Sequence, residues 1–342
     1  MLGSAGCAAE VQEKPSPTTE VSLGSEMKIF GGEGDNDEQS LSSVVALKVG
    51  RGGTFELCSG VLVAPNIVLT ARHCVANSIT TSVSCDENGQ STNGSHVAGD
   101  QAPGDVAIYT GASPRFGETP VAVGSAIVAP KSEYLCDADI ALVVLDRAIT
   151  EVKPIGVRLT GGVAPGETVR SVGYGQNDQR MPIGTRLRRA GVSILAMGSG
   201  VSESKTALGP HEFEVGKSIC QGDSGGPAIA EGTGAVVGVV SRGGECNDDY
   251  GHIYTTTAGW RQLFDDAFAI AGGAPIEEAT RPTSSTAGLR ATPVPVPDAP
   301  ARGESCSAGR GPASGGSSAA LLVAAAIVLR LRSGRAPRAR ES

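Results

Sequence analysis

Apolar positions in this chain come in short β-branched runs broken by Gly, Pro and Asn. Residues 44–49, 58–63 and 67–70 form three such runs, separated by glycine-containing and Pro-Asn turns. That is the pattern of strands joined by tight connections. The rhythm returns at 106–109, 121–123, 140–145, 168–174, 191–196, 227–230 and 235–241. Regular short strands with turn residues between them predict an all-β barrel architecture. One stretch has another period. Within 257–271, Trp260, Leu263, Phe264, Ala267 and Phe268 share one face of an amphipathic helix.

The ends of the chain differ from this centre. Residues 1–28 are polar, rich in Glu, Ser, Pro and Thr, and read as an unstructured leader. From Gly272 the composition shifts to Pro, Thr, Ser, Gly and Ala, with Thr292-Pro293-Val294-Pro295-Val296-Pro297 as an extended linker. The expected organisation is therefore a leader (1–28), a folded domain (29–271), a linker (272–304) and a terminal segment (305–342).

Composition narrows the class. The 342 residues are enough for one or two domains with real cores, and 48 glycines suit turns more than helices. A net charge of −8 argues against a nucleic-acid partner. Eight cysteines stand at 7, 58, 74, 85, 136, 220, 246 and 306, six of them within the expected domain. An even set there predicts disulfides and an oxidising compartment. No Cys-x-x-Cys and no paired histidines at helical spacing occur, so no metal and no cofactor is expected.

Three segments carry chemistry. Gly222-Asp223-Ser224-Gly225 places a hydroxyl in a glycine-rich loop, where the N–H groups of Gly222 and Ser224 can face one spot. Acyl transfer needs that combination: a nucleophile beside donors for a developing oxyanion. On its own, Gly-Asp-Ser-Gly reads as an ordinary turn. Ala71-Arg72-His73-Cys74 and Asp137-Ala138-Asp139, the latter leading into the apolar run 140–145, change that reading. They supply His73, Asp139 and Ser224 in the order of a known Ser-His-Asp triad.

With these motifs the chain resembles the chymotrypsin/trypsin family of serine endopeptidases, from about residue 29 to residue 270. The resemblance implies two antiparallel six-stranded β-barrels packed face to face, with a cleft between them and a closing C-terminal helix. It implies Ser224 as nucleophile, His73 as general base, Asp139 as its orienting partner, and Gly222 and Ser224 as the oxyanion hole. It further implies disulfides Cys58–Cys74 and Cys220–Cys246, which leaves Cys85 with Cys136. Lys28-Ile29-Phe30-Gly31-Gly32 resembles an activation junction. Cleavage after Lys28 would free an amine on Ile29 to pair with the buried Asp223 carboxylate and order the nucleophile loop.

Carried over residue by residue, the substrate pocket is formed by Ser218, Ser241, Gly243 and His252. Ser218 lacks the carboxylate of trypsin-like members. His252 replaces a small residue and Arg242 an aromatic one. The expectation is a preference for small or acidic side chains before the scissile bond. Arg72, beside the base, is expected to depress the His73 pKa. His96 and His211 read as solvated loop residues.

The terminal segments set location. Ser4-Ala5-Gly6-Cys7 resembles the end of a bacterial lipoprotein signal, whose apolar part would lie upstream of Met1. Cys306, the apolar run 319–329 and the trailing arginines resemble the C-terminal sorting signals of myxobacterial surface proteins. The run is short for a membrane span. The expected protein is a monomeric enzyme on the surface of a bacterial envelope. Its partners are a polypeptide substrate, an activating protease and, through its tail, the membrane. The competing expectation is an inactive homologue that serves as a binding module.

Overall fold

A computed structural model describes residues 33–34, 41–78, 82–176, 184–243 and 246–279. The leader, the activation junction at Lys28 and Ile29, the linker and the terminal segment with Cys306 lie outside the described residues. The description therefore concerns the first of two compact units, which ends at Thr283.

The first barrel closes from β2 (Val44–Arg51), β3 (Thr54–Ala64), β4 (Ile67–Thr70), β7 (Val106–Tyr109), β8 (Ala122–Val128) and β9 (Ala141–Leu145). Its spatial order is β2-β3-β4-β9-β8-β7, all antiparallel. A short ribbon, β5 (Ala76–Ser78) with β6 (Val97–Asp100), stands beside it. The strands read as unbroken apolar runs because both faces are buried. Val45, Leu47, Val68, Val143 and Leu145 fill the barrel. Their alternates, Val44, Ala46, Ile67, Leu69, Leu142 and Val144, join a second cluster with Val172, Tyr174, Val239 and Phe264. One set of side chains makes the barrel and the other glues it to its neighbour.

The second barrel comprises β10 (Thr168–Gly173), β11 (Leu187–Met197), β14 (Glu212–Val215), β15 (Pro227–Ala230), β16 (Val236–Arg242) and β17 (His252–Thr256). Pairing of β11 with β14 closes it, and β1 (Glu33–Gly34) adds to the free edge of β11. A two-strand ribbon, β12 (Gly200–Val201) with β13 (Ala207–Leu208), projects from it. Helix α2 (Arg261–Ala271) follows the last strand of this barrel yet packs on β4, β8 and β9 of the first. Its buried Leu263, Phe264, Ala267 and Phe268 strap the barrels together. The helix starts later than the periodicity suggests. Thr257 is held by the carbonyls of Arg158 and Val237, so the chain before Trp260 cannot turn helical. The packed chain also runs past the expected boundary at 271. Residues 276–278 bond the backbone of Val157, and Glu278 pairs with Arg158.

Strands β14 and β17 are absent from the apolar pattern. Glu212 and Glu214 interrupt β14, yet both are buried. Glu214 Oε1 accepts from Ser204, Thr206 and the Gly251 N–H at 2.6–2.8 Å. Glu212 takes both guanidinium nitrogens of Arg242, at 2.5 and 2.7 Å, plus the N–H groups of Gly209 and Asp137. The last bond crosses between barrels, because Asp137 lies between β8 and β9. The Asp137 carboxylate in turn accepts from the Nδ1 and backbone N–H of His211. His211 is therefore a paired residue at the seam, correcting the expectation of a solvated loop.

Candidate active site

His73 sits in α1 (Arg72–Val75), a single turn that follows β4. Arg51 braces it. Its guanidinium donates to the carbonyls of His73, Cys74 and Ala76 at 3.0–3.2 Å, and pairs with Glu56 at 2.6 Å. A cation on the last carbonyls of a helical turn satisfies acceptors that would otherwise lack partners. The disulfide Cys58–Cys74 ties the same turn to β3. Its sulfurs border His73, with Cys74 Sγ 3.8 Å from Nε2, but as a disulfide they are not thiolate ligands.

Asp139 precedes β9 and is almost fully buried. Oδ2 receives His73 Nδ1 at 2.8 Å and Ser241 Oγ at 2.7 Å; Oδ1 receives the His73 N–H at 2.8 Å. Burial opposes ionisation of Asp139, but the histidine charge and these donors outweigh it and lower its pKa. Burial likewise opposes protonation of His73, and the Asp139 carboxylate overrides it, raising the pKa above its ordinary 6.5. Arg51 lowers it slightly; Arg72 plays no part. Arg72 is buried instead against the Ser132 carbonyl and Asp100, which corrects the expectation that it depresses His73.

Ser224 lies in the loop between β14 and β15, stapled by Cys220–Cys246. Gly222 and Gly225 take φ of 96° and 77°, a region side chains disfavour. A Cβ at Gly225 would also collide with Thr70 Oγ1, so only glycine lets the loop lie against β4. Among the described residues, neither Gly222 N–H nor Ser224 N–H donates to a protein acceptor, and Ser224 Oγ makes no hydrogen bond. Asp223 points the other way. It is buried, accepts the N–H groups of Cys220 and Gly175 at 2.8 Å, and has no cationic partner among the described residues. Burial pushes its pKa up to about 7.

His73, Asp139, Ser224, Ser241 and Gly243 line one cleft of about 690 Å³ between the barrels. The chain matches the trypsin family model over residues 29–262. It belongs to the trypsin family of serine proteases. Trypsin-1 of Astacus astacus is 28% identical over 221 residues, 60% of this chain and 84% of that protein. Trypsin of Saccharopolyspora erythraea is 27% identical over 231 residues, covering 64% and 88%. Chymotrypsin-like elastase family member 3B of Macaca mulatta is 28% identical over 200 residues, covering 54% and 69%.

The expected pocket residues separate into two groups. Ser241 and Gly243 line the cleft, whereas Ser218 and His252 are wholly buried beneath it. Ile219, overlooked in the sequence, lines it as well. A Cβ on Gly243 would meet Ile219 Cδ1 at 3.2 Å and His252 Nδ1 at 3.3 Å, so these two side chains fill the space beside Gly243. His252 Nε2 bonds the Asp248 carbonyl at 2.8 Å, and burial lowers its pKa. Arg242 lines the cleft with its guanidinium paired to Glu212, while His252 lies buried beside Gly243. The third disulfide, Cys85–Cys136, anchors the segment entering Asp139.

The His73 shift has a kinetic consequence. A base with a raised pKa becomes protonated, and useless as a base, at a higher pH than free histidine. The acid limb of kcat/KM should fall through a midpoint above 6.5. In Asp139→Asn that midpoint should drop, alongside a loss of roughly 10⁴-fold in kcat. A pH profile of both proteins checks this; unchanged midpoints would contradict it.

Proposed function

We propose that the chain is a secreted serine endopeptidase made as a zymogen. The observation that carries this reading is the buried Asp139 carboxylate, held by three donors and locking His73 Nδ1, in the cleft that Ser224 also lines. Because Nδ1 donates to Asp139, Nε2 is left as the acceptor. His73 takes the Ser224 proton as Oγ attacks the peptide carbonyl. The resulting oxyanion sits against the N–H groups of Gly222 and Ser224. His73 passes the proton to the leaving amine, giving an acyl-enzyme. Water, deprotonated by His73, then releases the acid and restores the hydroxyl.

Activation follows the charge deficit at Asp223. Cleavage after Lys28 would deliver the Ile29 ammonium to this buried carboxylate, favouring its ionised form and fixing the loop that holds Gly222. The filled space beside Gly243 suits small side chains before the scissile bond. Lys28 does not fit such a site, so another protease is the activator. All six cysteines of the described residues are in disulfides, which suits an oxidising, extracytoplasmic location. Retention at the cell surface rests on the terminal segment, 305–342.

Two measurements test this. Protein cleaved at Lys28 should hydrolyse a peptide library, and Ser224→Ala should lower kcat by about 10⁴-fold or more. A cleaved wild type without activity would favour the binding-module reading. Within that library, cuts should follow Ala, Val, Ser or Thr. The double variant Ile219→Gly with His252→Gly should admit larger apolar residues by roughly tenfold in kcat/KM, the scale of a few methylenes in a pocket. Wild-type cleavage chiefly after Lys, Arg or Glu would reject the specificity assignment.

A further inference from the structure

Ser59 has no part in the triad, yet it touches the nucleophile loop at two places. It lies in β3 of the first barrel, next to Cys58, and is fully buried. Its Oγ donates to the carbonyl of Gly222 at 3.0 Å and accepts the N–H of Tyr174 at 2.9 Å. Its own N–H donates to the carbonyl of Ser224 at 2.8 Å. Its carbonyl is fixed by Thr70 Oγ1 at 2.8 Å.

These bonds complete a backbone clasp. Three consecutive N–H groups, those of Tyr174, Gly175 and Gln176, reach toward the loop. Gln176 N–H holds the Gln221 carbonyl at 2.7 Å, and Gly175 N–H holds Asp223 Oδ1 at 2.8 Å. Tyr174 N–H reaches Gly222 only through the Ser59 hydroxyl. The loop is glycine-rich, and a glycine peptide can rotate at little steric cost. Holding the carbonyls of Gln221 and Gly222 fixes the peptides on both sides of Gly222, and hence where its N–H points. Holding the Ser224 carbonyl fixes the peptide that follows Ser224, and the peptide that carries the Ser224 N–H is held through the Asp223 carbonyl by Gly226 N–H at 2.8 Å.

We infer that Ser59 is a positioning residue for the oxyanion site: its hydroxyl and N–H orient the Gly222 and Ser224 backbone so that both N–H groups converge on the cleft. The assignment rests on the endopeptidase reading and deepens it. Ser59 does not contact substrate. Its removal takes the Ser59 hydroxyl away from the Tyr174 N–H and the buried Gly222 carbonyl, and the clasp loses its middle bond.

The test uses the full chain cleaved at Lys28, as wild type, Ser59→Ala and Ser59→Gly. Active sites are counted by burst titration, so that kcat is expressed per competent site. We expect kcat per site to fall roughly 10–100-fold in Ser59→Ala, less than the 10²–10³ of deleting an oxyanion donor, with KM within about twofold. Affinity for a peptide boronate, which places an oxygen in the oxyanion site, should fall by the same factor. The acid-limb midpoint of His73 should stay in place. A variant with fewer titratable sites but unchanged kcat per site, or with unchanged boronate affinity, overturns the assignment and leaves the endopeptidase reading intact. Wild-type protein that neither titrates nor hydrolyses overturns both. If Ser59→Ala fails to melt as a folded protein, Ser59→Gly carries the measurement. Failure of both to fold makes Ser59 a purely structural residue and overturns the assignment as well.

Discussion

A single buried carboxylate holds the cleft in register. Asp139 comes from the first barrel. It grips His73 of the same barrel through ring and backbone, and takes its third donor, Ser241, from the second. An ionised carboxylate in such a place is costly unless its lone pairs are used. The barrels must therefore dock before Asp139 is fully satisfied. Docking is in turn driven by the apolar seam, where outward faces of β2, β4 and β9 meet Val172, Tyr174, Val239 and Phe264. Hydrophobic burial supplies the attraction, and the polar clasp at its edge selects one arrangement.

The seam holds more than one such clasp. Glu212, Arg242, Asp137 and His211 form a second polar bridge beside the first. Asp137 has φ of 61°, unusual for a residue with a side chain, and it stands two positions before Asp139. Its surroundings over-determine that conformation: Glu212 holds its N–H, His211 its carboxylate, and Cys85–Cys136 the preceding residue. Local strain of this kind persists only where neighbours enforce it. On the other side of the cleft, Ser59 and residues 174–176 enforce the nucleophile loop in the same manner. A strand-anchored turn, a strand end and a clasped loop thus position the groups of the site, and the buried Asp223 carboxylate beside Ser224 has no cationic partner among the described residues.

Much of this was legible before any coordinates. Runs such as 44–49 and 140–145 are unmistakable strands, and Trp260 to Phe268 a helical face. The motifs around His73, Asp139 and Ser224 are specific because few other chemistries need those residues in that order. What escaped the sequence shares one property: the partner is distant along the chain. His211 looked solvated because Asp137 lies 74 positions away. The glutamates of β14 hid a strand because Arg242 of β16 pairs with Glu212, and Ser204, Thr206 and the Gly251 N–H satisfy Glu214, only once the barrel has closed. Arg242 and His252 looked like free charges, although one is paired and the other buried and neutral. Arg51 and Ser59 carry no motif at all, and only the three-dimensional proximity of backbone carbonyls gives them a role.

The most direct check of the account is the site of covalent capture. Protein cleaved at Lys28 and treated with a fluorophosphonate should carry one adduct, mapped by peptide mass to Ser224. That adduct should fail to form on protein denatured by heat beforehand and on protein not yet cleaved. An adduct on another residue, or none on folded and cleaved protein, would contradict the assignment of His73, Asp139 and Ser224 as one catalytic unit.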